Sequence, residues 1–149
     1  MEEAFLVVLV WFLEFGTNWI RQRRMRKAHW DLLGAEIFIC KKRASWYINR
    51  KVKAPLYRLP TSAFSFSFPV LVSGADLTAD EFESLVEFYS WAEDINRGLG
   101  NASDAAKTEN ESRLQKEEAR IHSKCEKLLS QYLKPAIETL QKHSGEFKR

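Results

Sequence analysis

The chain has 149 residues, 45% hydrophobic and 29% charged, which is one ordinary domain's worth of sequence and excludes a wholly disordered chain. Six Gly and four Pro are too few for a turn-rich β-sandwich or barrel, and two cysteines, Cys40 and Cys125, exclude a disulfide scaffold and any CxxC motif. The net charge of +3 conceals an alternation of −3 over 1–20, +10 over 21–58, −7 over 59–106 and +3 over 107–149. The second block therefore suits an anionic partner: lipid, nucleic acid or the acidic third block of the same chain.

Ala4 to Leu13 is an unbroken apolar run. Glu14 interrupts it, and Phe15 to Ile20 completes a 17-residue stretch at the lower limit for a spanning helix. Ten apolar residues at about −0.3 to −0.6 kcal/mol each face one central acid at about +2.5 to +3.5 kcal/mol, so insertion is marginally favoured. Trp19 stands where an interfacial aromatic belongs. Arg21, Arg23, Arg24, Arg26 and Lys27 follow at once, a positive-inside signal and a candidate contact for anionic lipid headgroups. The stretch predicts a transmembrane anchor, residues 1–20, with 21–149 inside. A buried helix of a soluble bundle is the alternative. A cleaved signal peptide fits poorly, because the region before the run is acidic. Glu14 is read as snorkelling at the cytoplasmic edge, with pairing to Asn18 or to a neighbouring copy as the other reading.

The anchor is predicted to continue as a long basic helix to about Val52. Trp30, Leu33, Ile37, Cys40, Ala44 and Tyr47 recur at steps of three and four and define its buried face. Lys41, Lys42, Arg43, Arg50, Lys51 and Lys53 crowd its far end and are candidate contacts for an anionic partner. Pro55 should end it. The interleaving of bases with Trp46, Tyr47 and Tyr57 over 41–58 also suits phosphate contact and base stacking, which makes a nucleic-acid or anionic-ligand binder the second functional reading.

Residues 62–72 carry two signals. Thr61 can cap a helix in which Phe64, Phe68, Leu71 and Val72 share a face. Phe64-Ser-Phe-Ser-Phe68 alternates like a strand, and Pro69 disfavours α geometry before it. A short broken helix is the expectation. Thr78-Ala-Asp-Glu81 is a capping box, with Leu77 and Phe82 as a hydrophobic staple. The helix it starts should bury Phe82, Leu85, Val86, Tyr89, Ala92, Ile95 and Leu99 and stop at Gly98 or Gly100. After a polar joint at 100–104, a last helix should run to about Lys142. Leu114, Ile121 and Leu128, with Cys125 and Tyr132, form a coiled-coil-like stripe on it. Pro135 should kink or split that helix.

Catalytic motifs are absent: the sequence has no Gly-rich phosphate loop, GxSxG, HExxH or zinc spacing. His122 with Glu118, Cys125 and Glu126 could share a helix face as a weak metal site, but a solvated face of His–Glu pairs explains the same spacing. No cofactor and no enzymatic activity are expected.

Leu59-Pro-Thr-Ser-Ala-Phe64 and Phe88-Tyr-Ser-Trp-Ala-Glu-Asp-Ile-Asn-Arg-Gly-Leu99 resemble a pattern in uncharacterised bacterial single-pass membrane proteins. Those combine an N-terminal anchor, a basic helix, an LPTxA-type turn and an FYxxxExINRxL-type helix. The resemblance covers roughly 4–99 and implies topology but no activity. The expected protein is all-α: an anchor over 1–20, a cytoplasmic helical hairpin or bundle over 21–99, and a charged helix over 100–149. The bacterial inner membrane is the expected location. The expected partners are the anionic bilayer and, through the helices, a second copy or another membrane protein. The acidic helix 79–97 is expected to fold back on the basic helix 21–53.

Overall fold

Apolar residues recur at steps of three and four along much of the chain, the period of an α-helix. The computed structural model describes residues 2–50, 57–74 and 77–144, with backbone alone for 2–14. All regular structure among the described residues is helical. The elements are α1 (Glu2–Ile48), α2 (Ser62–Ser73), α3 (Ala79–Lys107), α4 (Glu111–Lys127), a π-helical turn (Leu128–Tyr132) and α5 (Leu133–Ser144).

Side-chain contacts set the directions. At one end Trp30 of α1 stacks on His143 of α5, ring centroids 4.4 Å apart. At the other, His122 of α4 meets the carbonyl of Ile48 at 3.2 Å. The α4–α5 rod is therefore antiparallel to α1. Glu81 contacts His143 at 3.1 Å and Asp94 contacts Lys124 at 2.6 Å, so α3 is antiparallel to that rod and parallel to α1. In α2 the residues near Glu36 come before those near His29, which makes it antiparallel to α1. The order is an up-down-up-down bundle with one short member.

The predicted α1 stripe is the core: Trp30, Leu33, Ile37, Cys40, Ala44 and Tyr47 are all buried. Leu85, Tyr89, Ala92, Ile95 and Leu99 of α3 join them, as do Ile121, Cys125 and Leu128 of the rod. Phe88 is also fully buried, although the predicted face omitted it.

Five expectations need correction. α1 ends at Ile48, short of Val52, with Arg50 taking a left-handed φ of 53°; Lys51, Lys53 and Pro55 lie outside the described residues. α3 does not stop at Gly98 or Gly100 but runs on to Lys107, so the 100–104 joint is helical. Gly98 serves helix approach instead: a Cβ there would lie 3.2 Å from Cγ1 of Ile121 in α4. The stop comes at Glu109, whose left-handed φ of 53° lets Glu109 N–H reach Ala106 and Asn110 N–H reach Ala105. Phe82 is 41% exposed, lying outside the core against Phe68 with centroids 5.1 Å apart, and Val72 is exposed as well.

The fifth correction concerns charge. Among the described residues the partners that the acids of α3 find on other helices lie in the rod, not in the basic helix: Asp94 pairs with Lys124, and Glu81 with Lys142 and His143. Antiparallel packing of α3 on α4–α5 sets those bases beside those acids. Glu83, Glu87 and Glu93 are exposed.

Pro135 does not split the rod. Its ring crowds the carbonyl of the residue four before it and it offers no N–H. The backbone widens by one residue just upstream, Leu133 N–H bonding to Leu128 O, and the helix continues.

Candidate functional site

Two regions hold the residues singled out from the sequence. The first is the N-terminal stretch of α1 that precedes its packed stripe. Between Phe15 and Ala28 no residue is buried, and the first buried side chain is His29. At 1.5 Å per residue these fourteen positions extend about 20 Å. Phe15, Trp19, Ile20 and Met25 are exposed, and the Arg23 guanidinium lies 5.5 Å from the Trp19 ring centroid. Arg21, Arg23, Arg24 and Lys27 are exposed; Arg26 is half-buried. A shallow open groove of about 450 Å³ is lined here by Thr17, Ile20, Arg21, Arg24, Met25 and Ala28. Its lining is mostly apolar and includes two arginines.

The second region surrounds the turn between α1 and α2. Lys41, Lys42 and Arg50 are exposed, while Arg43 is half-buried. The aromatics between these bases are engaged inside the protein. The Tyr47 hydroxyl donates to Tyr57 O at 2.6 Å and accepts from Tyr57 N–H at 2.9 Å. Arg43 donates to the Arg58 carbonyl, and its guanidinium lies 5.7 Å from the Tyr57 ring centroid. Lys42 covers Trp46 at 5.3 Å, and Trp46 packs edge-on to Tyr57. These contacts tie the returning chain to α1.

The turn itself is held by side chains from remote helices. Asn96 of α3 accepts from Leu59 N–H at 2.7 Å and donates to Leu59 O at 2.8 Å, satisfying both backbone groups with one amide. The Cys40 thiol donates to Pro60 O at 3.2 Å. Thr61 makes no side-chain cap to α2. Glu36 of α1 does that work, its two oxygens accepting from Ala63 N–H at 2.7 Å and Phe64 N–H at 2.9 Å. A carboxylate on the positive end of a helix replaces the hydroxyl that the sequence offered. Phe64 then stacks on Tyr89 at 4.1 Å. The LPTSAF and FYSWAEDINRGL stretches thus meet, through Leu59 with Asn96 and Phe64 with Tyr89.

The polar groups behind this turn are chemically quiet. Burial, then the nearby Glu36 charge, pushes the Cys40 thiol up to about 12. Burial also raises Cys125 to about 12. Neither is a thiolate at neutral pH. The Tyr89 hydroxyl is buried near Glu36, and burial followed by the Glu36 charge raises its pKa. His122 lies 3.8 Å from Glu126, while Cys125 on the same rod is buried in the core. Among the described residues no group of three His, Cys, Asp or Glu side chains could hold a metal ion.

Glu36 and Asn96 were not candidates from the sequence. Their partners lie 27 and 37 residues away, beyond any local motif. Among the described residues no helix is long and apolar enough to cross a membrane; the side chains of residues 4–14, most of the expected anchor, lie outside them. No family model, curated protein or solved structure matches the chain.

Proposed function

We propose that the chain is a single-pass, membrane-anchored helical protein with a non-catalytic, structural or interaction-mediating role. Residues 1–20 form the anchor, residues 21–149 lie on the cytoplasmic side of a bacterial inner membrane, and Arg21, Arg23, Arg24, Arg26 and Lys27 meet anionic headgroups. The observation that carries this is the contrast along α1: fourteen consecutive positions without a buried side chain, bearing exposed aromatics and a basic collar, directly before the packed stripe. An exposed Trp19 beside Arg23 suits the aromatic and cationic layers of a bilayer interface. Helical backbone from Glu2 onward gives the apolar run the one conformation, other than a closed barrel, that satisfies its amides in lipid.

The test is alkaline extraction of membranes together with a reporter fused after Arg149. The native chain should stay in the pellet, and the reporter should be active in the cytoplasm. Val8→Arg should release the chain, and Glu14→Leu should hold it more firmly. A native chain that washes off in carbonate, or a periplasmic reporter signal, overturns the reading in favour of a buried N-terminal helix.

Nucleic-acid or anionic-ligand binding through 41–58 is the second reading, favoured by exposed Lys41, Lys42 and Arg50. Trp46, Tyr47 and Tyr57 are occupied in holding the turn, which weakens it. Filter binding that falls steeply with salt and vanishes on neutralising Lys41, Lys42 and Arg43 would support it.

A further inference from the structure

α2 has an unusual surface for a helix on the outside of a bundle. From Leu59 to Ala75 the chain holds no ionisable residue. The inner face of α2 is accounted for by buried Ser67 and Leu71 and half-buried Phe64 and Phe68. The outer face is apolar too: Phe66 is 69% exposed, Val70 and Val72 are each 40% exposed, and Pro69 is exposed with them. Water is a poor solvent for such a face, and a chain that had only water there would gain by placing charge on it.

The position of this face says what covers it. Glu36 holds the first turn of α2, and His29 meets Ser67 at 3.0 Å and the Phe66 ring at 5.7 Å. α2 therefore descends α1 toward the anchor. Six further residues, from Ser67 to Ser73, add about 9 Å along the axis. That carries Val70 and Val72 past His29 to the level of the basic collar, Arg21 to Lys27. The apolar groove along Thr17 to Ala28 lies at the same end. Asp80 and Glu83 near the start of α3 are exposed there as well, so an anionic surface repels α3 and confines apolar contact to α2.

We infer that the C-terminal half of α2 is a second membrane contact: Val70 and Val72 enter the interfacial layer beside the basic collar, and Phe66 lies shallower. The proposal rests on the anchored reading above. It adds that the bundle is seated on the bilayer through two elements rather than swinging on α1 alone. An uncharged helix end supplies apolar contact, and the collar supplies attraction to phosphate, the pairing that favours interfacial binding.

The test uses the full chain in vesicles of phosphatidylcholine and phosphatidylglycerol. An environment-sensitive fluorophore is attached at V70C, V72C, F66C, W19C or S130C; Cys40 and Cys125 are buried, and the chain without an added cysteine, treated alike, gives their background. Lipids carrying a nitroxide near the headgroup quench a probe that touches the interface. The expected result is loss of emission at 19, 70 and 72, a smaller loss at 66 and none at 130. Quenching at 19 without quenching at 70 and 72 overturns the second contact and leaves the anchor standing. No quenching at 19 overturns the anchored reading and this inference with it. A blue shift at 70 and 72 in the absence of vesicles that grows with protein concentration assigns the face to a second copy and also overturns the inference.

Discussion

α2 and α3 begin with the same chemistry and differ in where it comes from. Each first turn offers free N–H groups to a carboxylate. At α3 the acid is Glu81, three residues from Thr78: the hydroxyl of Thr78 accepts from Glu81 N–H, and the carboxylate accepts from Thr78 N–H. At α2 the acid is Glu36, on another helix, and Thr61 stands by without bonding. Glu81 also reaches Lys142 and His143, so the local cap of α3 doubles as a clamp on α5. The lesson is that a local cap specifies where one helix starts, whereas a remote cap specifies which helix it starts against. Removing Glu81 should loosen an end; removing Glu36 should detach an element.

Four measurements sharpen that contrast, the largest effect first. Glu36→Ala leaves two part-buried donors at Ala63 and Phe64 without their charged acceptor, and should cost about 3 kcal/mol in a urea titration of the full chain. Hydrogen exchange should speed up throughout α2 and hardly change in α3. Equal loss in both would show that Glu36 is not α2's own tether.

Asn96→Ala removes both bonds to Leu59 and should cost about 2 kcal/mol. Asn96→Asp keeps the acceptor for Leu59 N–H but turns a carboxylate oxygen on Leu59 O in place of the donor, so its loss should be the larger of the two. If the two variants melt alike, the paired amide geometry is not what holds the turn.

Glu81→Gln should cost about 1 kcal/mol, as for other helix caps. The Thr78 N–H, with His143 and Lys142 beside it, holds the Glu81 carboxyl at about 2, well below its ordinary 4.5. A depressed folded-state pKa stabilises above the unfolded value and ceases to as pH falls. Glu81's contribution should therefore be complete above about 4.5 and disappear as pH drops toward about 2. The Gln variant should lack that limb of the stability–pH curve. A parallel acid limb in both proteins would assign it to other carboxylates.

Glu109→Gly should raise stability by roughly 1 kcal/mol, because Glu109 occupies a left-handed turn that glycine adopts without a Cβ penalty. A drop in the melting temperature would show that the Glu109 side chain contributes more than its backbone costs.

What could be read from residues alone follows the range of the interaction. The α1 stripe and the Thr78–Glu81 box were legible because their partners lie within a turn or two of helix. The α2 cap was misassigned to Thr61 for the same reason: the sequence shows a hydroxyl in the right place and hides an acid 27 residues back. Gly98 looked like a stop because a glycine near the end of a periodic run usually is one. Its neighbour Ile121, reached across the bundle, explains it differently. Pro135 was legible as a disturbance, and only the packed rod decides between breaking and widening: Leu133, Ala136 and Leu140 are buried and hold α5 in line.

By itself the sequence determined the helical periods of α1, α3 and the rod and that a basic collar follows an apolar run, because periodicity and composition act locally; it left 62–72 between helix and strand. The tertiary structure alone decided which acid caps which helix, that Asn96 grips the turn at Leu59, and that the acids of α3 meet bases on the rod. The reason is physical. A bundle of antiparallel helices brings together residues whose separation along the chain carries no information about their separation in space. The contacts of Glu36, Asn96 and Asp94 across the bundle are made between such residues.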